Sequence, residues 1–212
     1  MSGIRVVCVI ALAASLILSG GACTKKKRDP GGKGSVDALP DNASDRASRL
    51  QATVQDLSAT LGQLPSGNDG KDQRNIGVGL GKLSTALRLM SEDESNGAFM
   101  QQIATIDRTA SMLSQGGSDR DPEPVINSGF WATLNALQYL SRTFDDSQTI
   151  ELVTQLETQV RELDTVRGPL HRLVASDTLR SSTQVVARMA DLYQQAAERR
   201  ESTPEPTTAA TE

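Results

Sequence analysis

The chain is poor in the residues from which most protein chemistry is built. It has one histidine, His171, two cysteines, Cys8 and Cys23, one tryptophan, two tyrosines and three phenylalanines among 212 residues. Residues 24–212 contain no cysteine, so neither a disulfide nor a thiolate zinc site can form there. One histidine without a thiol falls short of the three or four ligands of an ordinary zinc centre. The paired Glu-x-x-His motifs of di-iron bundles are absent. So are the Gly-x-Ser-x-Gly nucleophile elbow and the Cys-x-x-Cys-His attachment of covalent haem. A triad of the serine hydrolase kind would have to use His171, and nothing in the sequence sets a nucleophile beside it. A net charge of −4 with 3% aromatics offers no basic stripe and little stacking surface, which argues against nucleic acid as a partner. The expectation is a protein with no catalytic residues, no metal and no cofactor, and so not an enzyme.

What the chain does have is a patterned start. Arg5 precedes an uncharged apolar run from Val6 to Leu18, then Ser19-Gly20-Gly21-Ala22, then Cys23. The run of 13 residues is shorter than the roughly 20 that cross a bilayer. It fits the charged, apolar and small-residue order of an export signal over residues 1–22.

A cysteine directly after small residues resembles the cleavage site of bacterial lipoproteins. Ala22 and Gly21 fit that pattern, and Gly20 stands where the family prefers leucine. The resemblance covers Leu16 to Cys23. It implies that the Cys23 thiol receives a diacylglyceryl group, that residues 1–22 are removed, and that the new amino terminus is acylated. Two or more acyl chains suffice for stable anchoring. The domain would then lie on the non-cytoplasmic side, in the periplasm or at the cell surface. Thr24, in place of the aspartate that marks inner-membrane retention, leans toward the outer membrane by the same resemblance.

Two other readings stay open. Val6 to Cys23 is 18 residues without charge, roughly 27 Å as a helix, and so is a candidate retained anchor. Lys25-Lys26-Lys27-Arg28 would then hold the C-terminal side in the cytoplasm. The other is plain secretion after cleavage near Ala22.

Residues 24–42 are rich in Lys, Gly, Asp and Pro. With Cys23 they read as a flexible linker whose average reach is roughly 20–25 Å. Residues 201–212 lack large apolar side chains and read as a disordered tail.

Between these ends, over residues 43–200, apolar residues recur at steps of three and four. The six stripes start at Ala47, Ile76, Phe99, Ile126, Ile150 and Leu179. Pro65, Gly116-Gly117 and Gly168-Pro169 punctuate them, and Ser176 or Asp177 is placed to cap the sixth. No segment alternates as a strand does. The expected fold is all-α: an up-and-down bundle of about six amphipathic helices, with narrow stripes and coiled-coil-like meshing. Three helices on each side of Gly116–Pro124 hint at two half-bundles.

Few residues invite a chemical reading. Ile76-Gly77-Val78-Gly79-Leu80-Gly81-Lys82 is a glycine cluster, but Ile76 and Leu83 stand where a phosphate-binding loop needs a glycine and a hydroxyl. Close helix contact, or a helix that begins late near Gly81, explains it better. His171 with Met189 makes a nominal haem pair, and a loop or helix-end imidazole is the plainer reading. Asp93, Glu94, Asp145 and Asp146 suit loops and helix starts. Trp131 follows Phe130, so both cannot share one narrow stripe. Trp131 is therefore the best candidate for an anchor to a protein partner.

The chain thus reads as a membrane-tethered envelope lipoprotein whose helical domain binds or scaffolds. The alternatives are a small-ligand or cofactor-binding bundle, an N-terminally anchored protein without lipid, and self-association through exposed stripes.

Overall fold

The structure, a computed structural model, describes residues 43–91, 96–115 and 121–202. These form six helices and no strand: α1 (Ala43–Leu61), α2 (Asp69–Met90), α3 (Gly97–Ser114), α4 (Glu123–Phe144), α5 (Ser147–Leu163) and α6 (Gly168–Ser202). The leader, Cys23, the linker and residues 203–212 of the expected tail lie outside the described residues, as do Asp93 and Glu94. No described helix is long and apolar enough to cross a membrane.

Local chemistry sets the helix starts. Asn68, Asn96 and Asp146 each accept a backbone N–H three residues ahead, from Lys71, Phe99 and Thr149 at 2.9, 3.1 and 2.9 Å. Such side-chain caps satisfy donors that the first turn leaves orphaned. Pro124 lies in the first turn of α4, where its missing N–H costs nothing. Asp145 ends α4 in the left-handed region at φ 45°, so the chain reverses into α5 through Asp145 and Asp146 alone.

Consecutive helices pack as antiparallel neighbours, and the arrangement has a second level. Helices α2, α4 and α6 touch one another, α1 lies against α2 and α6, α3 against α2 and α4, and α5 against α4 and α6. The even helices therefore form an inner triangle, with an odd helix across each side. This alternation replaces the expected division into two half-bundles.

Burial follows the same division. Outer helix α5 buries the narrow set Thr149, Val153, Leu156, Val160 and Leu163. Ile150, expected on that stripe, is 50% exposed, because Thr149 takes the inward position beside its capping partner Asp146. Inner helix α4 buries a broader set that adds Gly129, Thr133, Ala132, Ala136 and Ser141 to its large apolar residues. Uniformly narrow stripes thus hold only for the outer helices.

Glycines let outer helix α3 close on inner helices α2 and α4. A Cβ on Gly77 would lie 2.7 Å from Leu113 Cβ, and one on Gly129 would lie 2.6 Å from Thr109 Cγ2. Both are well inside the roughly 3.5–4.0 Å of a good carbon contact. The cluster at 76–82 is therefore interior helix serving close contact, and α2 starts at Asp69 rather than near Gly81.

The start of α6 also differs from expectation. It begins at Gly168, not at Ser176 or Asp177. Pro169 opens a helix here rather than stopping one, since its fixed φ suits a first turn. Gly168 enters at φ 63°, a conformation open to glycine. Ser176 lies inside the helix and donates to the Arg172 carbonyl at 2.9 Å, while Asp177 pairs with Arg180 at 2.5 Å.

Candidate functional site

The first turns of α2, α4 and α6 meet at one pole of the bundle. There, residues from all three helices line a recess of about 170 Å³, among them Asp69, Asp121, Glu123, His171 and Arg172. Arg172 reaches Asp69 at 2.9 Å. Glu123 accepts the Gly168 N–H at 2.6 Å and faces Arg167 at 3.7 Å. Asp121 accepts the Glu123 N–H at 3.0 Å. The carboxylates thus close the positive ends of helices, where negative charge is stabilised.

His171 sits in the first turn of α6, fully buried. Its Nε2 lies 2.7 Å from Asn127 Oδ1 on α4, which makes Nε2 the protonated nitrogen and leaves Nδ1 bare. Nδ1 is buried without a hydrogen-bond partner. Burial pushes the imidazole below its ordinary pKa of 6.5; Glu123 and Asp121 oppose that shift, and Arg167 and Arg172 add to it. The helix-end position matches the sequence reading; the complete burial and the tie to Asn127 were not legible there.

Met189 lies on the same helix as His171, 18 residues along. That separation is about 27 Å, so the two cannot ligate one haem iron. Among the described residues no group of three or more His, Cys, Asp or Glu side chains could hold a metal ion.

Trp131 is half-buried against the core. Its indole Nε1 donates to Asp164 Oδ2 at 2.8 Å, and the Arg161 guanidinium lies 5.8 Å from the ring centroid. Its second contact is therefore made within the chain, to the end of α5. Phe130 points fully inward, as the offset between neighbouring helical positions requires.

Two residues that the sequence did not single out together tie the other half of the bundle. Asp146 caps α5, accepts the Thr149 hydroxyl at 2.9 Å, and receives Arg188 of α6 in a two-pronged pair at 3.0 and 2.8 Å. These donors, above all Arg188, hold the carboxyl well below its ordinary value, and Asp146 in turn raises Arg188. The capping role had a signal in the sequence; a partner 42 residues away did not.

Lys82, from the glycine cluster, donates to the Asp56 carbonyl and the Thr60 hydroxyl at 2.9 and 3.0 Å. It serves α1–α2 packing and is not turned toward a phosphate.

A second recess, about 250 Å³, lies between α1 and α6 and includes Ser44, Gln51, Gln194 and Glu198. Neither recess reaches the roughly 300–1,000 Å³ usual for a small-molecule pocket. Comparison with known proteins finds no matching family model, no matching curated protein and no matching solved structure.

Proposed function

We propose that the chain is a membrane-tethered envelope lipoprotein whose helical unit works by binding or scaffolding rather than by catalysis. The observation that carries this reading is where the two ends of the helical unit lie. At the start of α1, Ser44 and Ala47 share a recess with Ala197 and Glu198 near the end of α6, and midway along α1 Gln51 donates to Asp191 of α6 at 3.2 Å. The chain therefore enters and leaves the bundle at one pole. The starts of α2, α4 and α6 form the opposite pole, and the 35 residues of α6 span about 52 Å.

A lipid at Cys23 would hold the entry pole toward the bilayer. The linker's reach of roughly 20–25 Å leaves the flanks and far pole free to meet a protein partner. Trp131 is the side chain proposed for that contact, through the part of its ring not covered by the core. The reading needs no catalytic group and is consistent with a His171 already tied to Asn127.

The test is the intact mass of the mature protein purified from bacterial membranes. A chain starting at Cys23 with two or three acyl groups supports the lipoprotein reading. A chain starting at or near Met1 replaces it with the retained anchor, and an unacylated chain starting near Ala22 or Cys23 replaces it with secretion.

A further inference from the structure

The first turn of α6 is held in an unusual way. An α-helix leaves its first four N–H groups without intrahelical acceptors, and Pro169 has no N–H at all. The turn depends instead on side chains of α4. The Gly168 N–H goes to Glu123 at 2.6 Å, and the His171 ring goes to Asn127 at 2.7 Å. Between these ties Leu170 is 53% exposed, so apolar packing there is slight.

We propose that His171 is an acid-sensitive latch, which ties the first turn of α6 to Asn127 while neutral and releases it when protonated. The ring is fully buried and its Nδ1 has no hydrogen-bond partner. A bare buried nitrogen is tolerable, whereas a buried N–H with a full charge and no acceptor is costly. The charges around the ring do not offset that cost. Glu123 and Asp121 face it from the start of α4, Arg167 and Arg172 from the start of α6, and Asp69 from α2 is engaged by Arg172. Glu123 is also already engaged, by the Gly168 N–H and by Arg167. The protonated ring therefore gains most by swinging out into water, and Gly168, in its left-handed conformation at φ 63°, lets the start of the helix follow.

The direction in pH follows from the lowered pKa of His171. Below the ordinary value of 6.5 an unfolded or released imidazole binds a proton before the latched one does. The latch is thus at full strength above that value and weakens as pH falls below it. Release would open one wall of the far-pole recess, because His171 and Arg172 both line it.

The experiment uses the full-length chain. Its single histidine gives one imidazole signal to titrate by NMR. Amide exchange is followed at Arg172 to Ala175, whose N–H groups make the first helical hydrogen bonds. The latch predicts titration below 6.5. It also predicts about tenfold faster exchange at those four amides between about pH 7.5 and pH 4.5, corrected for intrinsic rates, with the rest of α6 still protected. His171→Gln, neutral throughout, should remove most of that response.

Titration at or above the ordinary value overturns the proposal, and needs no variant. So does a response spread evenly over all six helices, or one that persists in a folded H171Q.

Discussion

Replacing Gly77 and Gly81 of α2 by alanine, one at a time, should move stability in opposite directions. In an exposed helix either change would help by about 0.5–1 kcal/mol, because glycine loses more backbone freedom on folding. At Gly81 the new methyl would meet only Ala110 Cβ at 3.6 Å, an ordinary contact. Gly81→Ala should therefore stabilise by about 0.5–1 kcal/mol, or roughly 1–4 °C in Tm for a domain of this size. At Gly77 the methyl would lie 2.7 Å from Leu113 Cβ, 2.9 Å from Ser114 Oγ and 3.0 Å from the Ala110 carbonyl oxygen. Two of these atoms move only with the α3 backbone, so no rotamer change relieves the clash. Overpacking of this kind costs typically 1–3 kcal/mol, and the lack of a flexible neighbour puts Gly77 at the upper end. Net of the helix gain, Gly77→Ala should destabilise by about 1–2 kcal/mol. Thermal and urea unfolding followed by circular dichroism would measure both variants on the chain from Thr24 onward. If Gly77→Ala matched or exceeded Gly81→Ala in stability, the close approach of α2 to α3 would be refuted, and with it the reason for glycine in this stretch.

Three further perturbations bear on the packing and the ion pairs. Asp146→Ala removes both a helix cap and the two-pronged pair with Arg188, and should cost about 2–4 kcal/mol; Asp146→Asn, which still caps, should cost clearly less, and equal losses would refute the pairing role. Because the Asp146 carboxyl is held below its ordinary 3.8, its contribution is complete above that value and fades as pH falls below it, so the gap between wild type and D146N should narrow in acid unfolding curves. Ser84 has a fully buried hydroxyl without a hydrogen-bond partner, so Ser84→Ala should raise stability by about 0.5–1.5 kcal/mol; a loss in urea unfolding would show that the hydroxyl is satisfied. Asp164→Ala should cost about 1 kcal/mol and shift the emission of Trp131, whose indole N–H it accepts; an unchanged spectrum would sink that contact.

How much of this was legible in the sequence depends on the kind of residue that carried it. The all-α class and the six stripes followed from large apolar residues at helical spacing, and Leu50, Leu80, Ile103, Phe130, Leu156 and Val186 all lie in the core. The layout of inner and outer helices did not follow, because it rests on small and polar residues that a hydropathy stripe ignores. Helix α6 shows why. Its inward positions include Ser176, Thr178, Ser182 and Thr183, so its apolar stripe looks thin although it touches four other helices. Each hydroxyl donates to the carbonyl four residues earlier, at 2.8–2.9 Å. The polar atom is thus satisfied inside its own helix, and burying it carries little penalty.

The same device limits what those residues can do. Hydroxyls spent within one helix add no directional bond to a neighbour, so they cannot fix which helices pair or how far they slide. That specificity has to come from elsewhere, and the structure supplies it in two forms. Gly77, Gly79 and Gly129 each set a contact distance that a methyl would disturb. Asp146 to Arg188 and Asn127 to His171 tie α6 at two heights to chain 42 and 44 residues away. Both forms join elements distant in sequence, with no periodicity to announce them. The upper tie is an ion pair that only strong acid breaks, whereas the lower depends on a neutral imidazole. The two ties therefore differ in the pH at which they let go, and the one at the first turn of α6, facing away from the entry pole, lets go before the one at Arg188, past the middle of the helix.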